Sequence, residues 1–321
     1  MKAKLKEIMK ASRPSVTVIG LGGAGCNIIT YLSQKSIAGA KTIAANTDIT
    51  HLVLQWADKL LLMGKNRSRG KGCGGFPEVG AECARESADD IKKELEGSNI
   101  VFIVAGLGGG TGTGSAPVVA ELSRSMGAMT IACLTMPFEI EALRRENAKK
   151  AISALSELCD SVVLIDNTKL RKVAGKLPLK TAFAVANALI GAFIKSITET
   201  ITQPSLMNLD YADLKAVLEK GGVSSFGIGE AEGEDRVEKA VERAVSAPLL
   251  DIPDLSSAHG LLIHITGGQE MTLEEVARVG ELMAEHVPGT KRIIWGANVD
   301  DTMTGRIRIM ALFASVGNPF E

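Results

Sequence analysis

The sequence predicts an α/β protein: a doubly wound, mainly parallel sheet, then a long central helix, then a second α+β domain with a mixed sheet. Three observations carry this. Apolar, β-branched runs alternate with helical stretches from residue 15 to residue 166, the pattern of a parallel sheet covered by helices on both faces. Two of those strands run directly into glycine-rich turns that open helices. Past Pro204 the regular alternation stops, and the last strands are joined by a short Asp/Thr/Gly turn, which points to antiparallel or mixed pairing.

The elements follow in order. Ser15-Val-Thr-Val-Ile19 reads as the first strand, Gly20-Leu-Gly-Gly-Ala-Gly25 as its turn and Asn27-Ile-Ile-Thr-Tyr-Leu32 as a helix. Thr42-Ile-Ala-Ala45 and Asp58-Lys-Leu-Leu-Leu-Met63 are the next strands. Residues 64–75 form a basic, glycine-rich loop. Composition leaves open whether it is a solvent loop or a lid that brings Lys and Arg to phosphates. A helix is expected from Pro77 to Glu96. Asn99-Ile-Val-Phe-Ile-Val-Ala105 is a continuous apolar run and reads as a buried strand. Met129-Thr-Ile-Ala-Cys-Leu-Thr135 and Ser161-Val-Val-Leu-Ile165 are strands flanking a helix opened by Pro137. From Leu179 to Ile201 one helix is apolar almost all round, so burial between two layers is expected. Asp210 to Lys220 is helical. Strands are expected at Val223–Gly229, Leu261–Thr266, Arg292–Ala297 and Arg306–Ala314, with helices near Glu234–Ser246 and Thr272–His286.

Composition narrows the function. A net charge of −1 over 321 residues argues against a nucleic-acid partner. No apolar stretch reaches membrane-spanning length without interruption, so no direct membrane insertion is expected. The N-terminal Met1-Lys-Ala-Lys-Leu-Lys-Glu-Ile-Met-Lys10 is too charged for a secretory leader. Five cysteines show no CxxC pairing, which suits a reducing compartment and small-hydrophobe roles. His51, His259, His264 and His286 show no metal spacing and read as structural. No metal-ligating set is expected from protein side chains.

The chemistry concentrates in Gly106-Leu-Gly-Gly-Gly-Thr-Gly-Thr-Gly-Ser-Ala-Pro117, between a buried strand and a helix. Free backbone N–H groups and the positive end of the helix dipole gather there, so the turn suits a phosphate. Glycines keep Cβ atoms away from the ligand, and Thr111 and Thr113 add hydroxyls. Gly20-x-Gly22-x-x-Gly25, with Asp48 after the second strand, also matches a dinucleotide fingerprint. An NAD-dependent enzyme is therefore a rival, though it leaves residues 106–117 and 208–213 unexplained. Asp210 and Asp213 open a helix, where two carboxylates serve as caps or orient and deprotonate a water.

Taken together, Gly20–Asn27, Asn46-Thr-Asp48, Gly74-Gly-Phe-Pro-Glu-Val-Gly80, Gly106–Gly114 and Thr135-Met-Pro-Phe138 resemble the FtsZ family of tubulin-like cell-division GTPases. Asn208-Leu-Asp-Tyr-Ala-Asp213, Gly227-Ile-Gly229 and Ile265-Thr-Gly-Gly268 continue the series in the family's order. The resemblance implies an N-terminal extension (1–14), a GTP-binding domain (15–176), a central helix (177–203) and a C-terminal domain (204–321). It implies GTP and GDP as ligands, Mg²⁺ travelling with the phosphates, and head-to-tail homopolymers. It further implies membrane-anchoring adaptor proteins and a cytoplasmic location at the division site.

By the same resemblance Gly22, Gly23, Asn27, Gly108, Gly109, Gly110, Thr111, Gly112 and Thr113 match phosphate-side positions. Glu141 and Arg145 match ribose or phosphate contacts, and Asn167, Phe183 and Asn187 match guanine contacts. Asn208, Asp210 and Asp213 match a loop that a neighbouring subunit inserts into the GTP site to complete catalysis. Asn187 stands where the family usually has Asp, and Leu143 replaces a usual Arg. A third reading, a nucleotide-bound structural protein that assembles without turnover, stays open at this point.

Overall fold

The computed structural model describes residues 13–169, 176–202, 210–218, 221–246, 255–290 and 292–316. Asn208 and residues 1–12 lie outside them. The first half builds β1 (Val16–Leu21), α1 (Gly22–Gln34), β2 (Ala40–Asn46), α2 (Ile49–Leu52) and β3 (Lys59–Leu62). It continues with α3 (Pro77–Glu86), α4 (Ala88–Leu95), β4 (Ile100–Gly106), α5 (Thr111–Ser125), β5 (Met129–Met136), α6 (Ala142–Leu158) and β6 (Ser161–Asp166). Then come α7 (Leu179–Thr202), α8 (Tyr211–Leu218), β7 (Val223–Glu232), α9 (Arg236–Ser246), β8 (Gly260–Gly267), α10 (Leu273–His286), β9 (Arg292–Val299) and β10 (Arg306–Ala314).

These strands form one sheet in the order β3-β2-β1-β4-β5-β6-β7-β10-β8-β9. β1 to β6 are parallel throughout. The period-two alternation decides which layer each side chain joins. Along β4, Ile100, Phe102 and Val104 pack with α1 and α7, while Val101, Ile103 and Ala105 pack on the opposite face. Each strand is thus buried on both sides, and its unbroken apolar run follows from that.

The structure departs from three sequence expectations, and it gives the expected mixed pairing of the last strands its order. The helix expected over Pro77–Glu96 breaks at Ser87, whose hydroxyl accepts from Gly64 N at 3.0 Å. The last two strands are not neighbours: β10 lies antiparallel between β7 and β8, and β9 pairs in parallel with β8. Helix α7 is not buried throughout. Its first turns, with Thr181, Phe183 and Ala184, are exposed, whereas Ile190, Phe193, Ile194 and Ile197 are buried against the sheet. By length and composition alone, Lys180–Thr202 is apolar enough to cross a membrane, at mean hydropathy 1.5. Its interior turns are apolar because they lie in the core of this fold. The five cysteines are buried free thiols, and burial pushes Cys26 and Cys159 up to about 12.

A cavity of ≈320 Å³ lies between α7 and the β8–β10 part of the sheet, lined by Lys195, Glu199, His264, Asp300 and Arg308 among others. Burial pushes His264 down to about 4, against an ordinary value near 6.5. Between those values the unfolded chain binds the extra proton, so stability is complete above pH 6.5 and falls as pH drops towards 4. The loss over that window is about 3 kcal/mol. We expect His264→Gln to flatten the decline of Tm between pH 6.5 and 4.5. Parallel Tm profiles for the two proteins would remove His264 as the cause.

Candidate functional site: an anion cleft at the strand ends

From β1 the chain winds outward through β2 to β3, and from β4 it winds the other way through β5 to β6. The reversal falls between β1 and β4, where a doubly wound sheet leaves a crevice beyond the carboxyl ends of its strands. Helices α1 and α5 both begin there. Neither start has a side-chain cap: the residues before them are Leu21 and Gly110. In contrast α2 is capped by Asp48 and α10 by a Thr272–Glu275 box. Two sets of unclaimed N–H groups and two positive dipole ends therefore face one crevice, an arrangement suited to a polyanion.

The crevice is an open cleft of ≈320 Å³. Gly22, Gly23, Gly109, Gly110, Thr111 and Gly112 line its centre, and Phe138, Asn167 and Phe183 line the end beneath β5, β6 and α7. Phe138 and Phe183 meet edge to face, with centroids 6.1 Å apart. The glycines divide by role. A Cβ on Gly110 would lie 2.6 Å from Cys73 Cβ, and one on Gly112 2.7 Å from Gly106 O. Gly114 has no room because Pro77 O of α3 sits against it. Those positions need glycine for chain-to-chain contact. Nothing stands within 4 Å of a Cβ on Gly109, so Gly109 is the glycine of this turn whose missing side chain opens the cleft.

Other expected residues are placed differently. Thr113 is buried and its Oγ1 accepts from Gly108 N at 2.8 Å, so the pair shapes the turn. Asn27 is exposed on α1, and Asn187 lies half-buried one turn beyond Phe183; neither is on the cleft wall. Glu141 lines the cleft, and its Oε2 pairs with Arg144 at 2.6 Å. Arg145 turns inward to Asp166 at 3.3 Å and donates to Pro137 O at 2.8 Å. Arg144 is the cation on the wall, a choice between adjacent arginines that sequence alone does not make. Thr47 was also missed: its Oγ1 is 2.7 Å from Thr111 Oγ1, and Asn46-Thr-Asp48 was its only signal. In the basic loop Lys65 pairs with Asp90 and Arg67 with Glu82, and Ser68 anchors on Gly64 O and Thr47 O. Asp48, required as a ribose acid by the dinucleotide reading, instead accepts from Thr50 N and His51 N.

Asp210 and Asp213 sit at the opposite pole. Asp213 N donates to Asp210 Oδ1 at 2.8 Å and Asp210 N to Asp213 Oδ2 at 3.3 Å, a reciprocal cap on α8. α8 packs at the beginnings of β8 and β9, with Val217 against Gly260 and Arg292 Nη1 donating to Ala216 O. β7 is parallel to β6, and β8 and β9 run the same way as β7. The beginnings of all these strands therefore point away from the cleft. Helix α7, at 24 residues, spans about 36 Å between the two poles.

Residues 15–175 match the GTPase domain of the tubulin/FtsZ family, and residues 222–317 match the FtsZ C-terminal domain. The chain belongs to the FtsZ family. It is 48% identical to the cell division protein FtsZ of Methanothermobacter thermautotrophicus, over 99% of this chain and 83% of that protein. It is 45% identical to FtsZ 1 of Archaeoglobus fulgidus, over 98% of this chain and 86% of that one. An empty FtsZ dimer of M. jannaschii superposes with a TM-score of 0.91 at 43% identity, covering 98% of this chain and 92% of that chain. Membership in the FtsZ family removes the NAD-enzyme rival.

For this FtsZ-family cleft the glycine analysis separates folding from binding. Gly109→Val should keep the Tm of the native chain and lose GTP binding, because the added carbons project only into the cleft. Gly110→Val should lower Tm as well, through Cys73 and the backbone of Phe76. Unchanged GTP affinity in a folded Gly109→Val protein would overturn the assignment of the turn.

Proposed function

We propose that GTP hydrolysis by this protein is completed only between subunits stacked head to tail, when Asp210 and Asp213 of one enter the cleft of the next. Family membership carries the coarser statement: this is a GTP-binding, GTP-hydrolysing cytoskeletal protein that polymerises into filaments. The observation that carries the finer one is the separation of cleft and carboxylates by the length of α7. No movement within one subunit closes a gap of about 36 Å, whereas stacking along the axis of α7 closes it directly. The cleft rim supports such stacking. Phe76 is 64%, Leu143 72% and Ile140 92% exposed around it, an apolar ring of the kind that marks an association surface.

Within the cleft, Gly22, Gly23, Gly109, Gly110, Thr111 and Gly112 hold the phosphates through backbone N–H groups, with Gly108 and Thr113 keeping the turn in shape. Asn167 and Phe183 take the guanine end with Asn187 one turn behind them, Glu141 and Arg144 flank the sugar with Arg145 bracing that wall through Asp166, and Asn27 lies at the α1 edge. Asp213 and Asp210 then orient and deprotonate the attacking water, with Asn208 beside them. Among the described residues no three His, Cys, Asp or Glu side chains cluster for a metal. The Thr111 hydroxyl, on the cleft wall with Thr47 Oγ1 buried behind it, is a hard oxygen donor that fits Mg²⁺ held mainly by phosphates and water. Mg²⁺ bound there would neutralise phosphate charge. We further propose the division 1–14, 15–176, 177–203 and 204–321, and a cytoplasmic role at the division site with membrane-anchoring adaptors. That the relatives are cell division proteins supports the role in division.

Two measurements test the split site. Phosphate release per subunit should be near zero in dilute protein and rise above a threshold concentration. A rate that stays flat on dilution would show a self-sufficient site. Asp213→Asn, which retains a capping side chain, should bind GTP and lose ~10²–10⁴-fold in turnover. Mixing it with Gly109→Val should restore part of the activity, since one supplies the nucleotide and the other the carboxylate. No recovery in demonstrably mixed filaments would return Asp213 to its role as a helix cap.

A further inference from the structure

We propose that His51 distinguishes a nucleoside triphosphate from a diphosphate by donating its Nε2–H to the terminal phosphate. The inference rests on reading the cleft as the phosphate site. His51 lies in α2, directly after β2, and the ring is half-buried. A Cβ built on Gly23 would stand 3.8 Å from Nε2 and 4.0 Å from Cε1. That edge of the imidazole therefore faces the uncapped start of α1, where Gly23 forms part of the cleft wall.

The hydrogen-bond network fixes which nitrogen carries the hydrogen. Asn46 Oδ1 accepts from Thr47 N at 2.8 Å and Asp48 N at 3.3 Å, so its amide nitrogen must be the atom 3.3 Å from His51 Nδ1. Gln55 is oriented the same way. Trp56 N donates to Thr30 Oγ1, Thr30 Oγ1 donates to Gln55 Oε1 at 2.8 Å, and Gln55 Nε2 is left 3.4 Å from Nδ1 and 3.0 Å from His51 O. Two amide NH₂ groups thus point at Nδ1, which can only accept. The neutral ring then carries its hydrogen on Nε2. Among the described residues Nε2 has no hydrogen-bond partner. A donor with a fixed tautomer, aimed at an anion-binding helix start, has no evident function in the fold itself.

Topology says which phosphate it meets. The aromatic and amide groups suited to a base lie at the β5/β6/α7 end of the cleft, and the phosphate turns lie between β1 and β4. β2 is on the far side of β1 from that base end. A nucleotide laid along the cleft points its last phosphate towards β2, and His51 follows β2. Thr47 and Cys73 sit on the same side, against Thr111. The sequence alone groups His51 with the structural histidines, because its role depends on how two amides are turned.

The test compares affinities for a slowly hydrolysed GTP analogue and for GDP, at protein concentrations below assembly. His51→Ala should weaken the triphosphate about tenfold or more, as for a hydrogen bond to a charged group, and leave GDP unchanged. His51→Gln, which retains an N–H donor of similar reach, should recover part of the loss. Equal weakening of both nucleotides, or of neither, would overturn the proposal. Imidazole ¹⁵N spectra of the native protein give a second readout that needs no variant. They should show the Nε2–H form, with a shift on adding the triphosphate that GDP does not produce. A ring hydrogen on Nδ1 would overturn it equally. Native protein that binds neither nucleotide would instead bring down the reading of the cleft on which this one rests.

Discussion

Two residue pairs, Val162 with Val223 and Val163 with Ser224, join β6 to β7 in parallel and make one sheet out of two. The junction is held tightly for its size. Val162 N donates to Gly222 O and Ser161 Oγ to Ser224 Oγ across it, while Val316 N donates to Val223 O and Ser315 Oγ to Gly221 O, tying the start of β7 to the end of β10. Buried hydrogen bonds of this kind resist opening because each lost partner leaves a desolvated polar group. The parallel sense matters more than the strength. It sends the beginnings of β7, β8 and β9 to the pole opposite the cleft, and α8 with its two carboxylates goes with them. An antiparallel junction would have turned the beginnings of these strands, and α8 with them, towards the cleft.

The glycine-rich turn shows how one composition serves two demands. Gly110, Gly112 and Gly114 are needed so that α3, β4 and α5 can approach to backbone contact. That approach is what brings the start of α5 beside the start of α1. Gly109 alone in this turn leaves space for a ligand. Glycine content by itself therefore overstates how much of the turn touches phosphate, and the folding demand explains most of it.

Legibility in the sequence followed how local the determining physics is. The parallel half was readable because burial on both faces leaves continuous apolar runs, as at Ile100–Gly106. The order of the last strands was not readable, since β10 inserts between β7 and β8 through contacts remote in sequence. The apolar length of α7 was visible, but not its exposed first turns, where Phe183 leaves the core to face Phe138 across the cleft. At the site, the turn glycines stood out. Arg144 against Arg145 did not, because Asp166 decides which guanidinium turns inward. His51 was furthest from view: its tautomer depends on Asn46 and Gln55, each oriented by a further bond.

The charges at the two poles set the last constraint. In the proposed stacking, Asp210 and Asp213 would meet a bound triphosphate and place like charges together, which opposes association. The apolar ring of Phe76, Ile140 and Leu143 acts in the other direction. Each large side chain removed from water contributes roughly 1.5–3 kcal/mol, and it does so whichever nucleotide is bound. The apolar contacts therefore supply affinity, while the nucleotide decides how the charged centre of the interface is arranged. The proposed donor His51 Nε2–H bears on that arrangement, because it would hold the terminal phosphate at the β2 side of the cleft. Once that phosphate leaves, the donor has no anion to meet, and the carboxylates face a different charge. On this proposal hydrolysis would alter the centre of the contact and leave its rim unchanged, coupling cleft chemistry to filament cohesion through a few polar atoms.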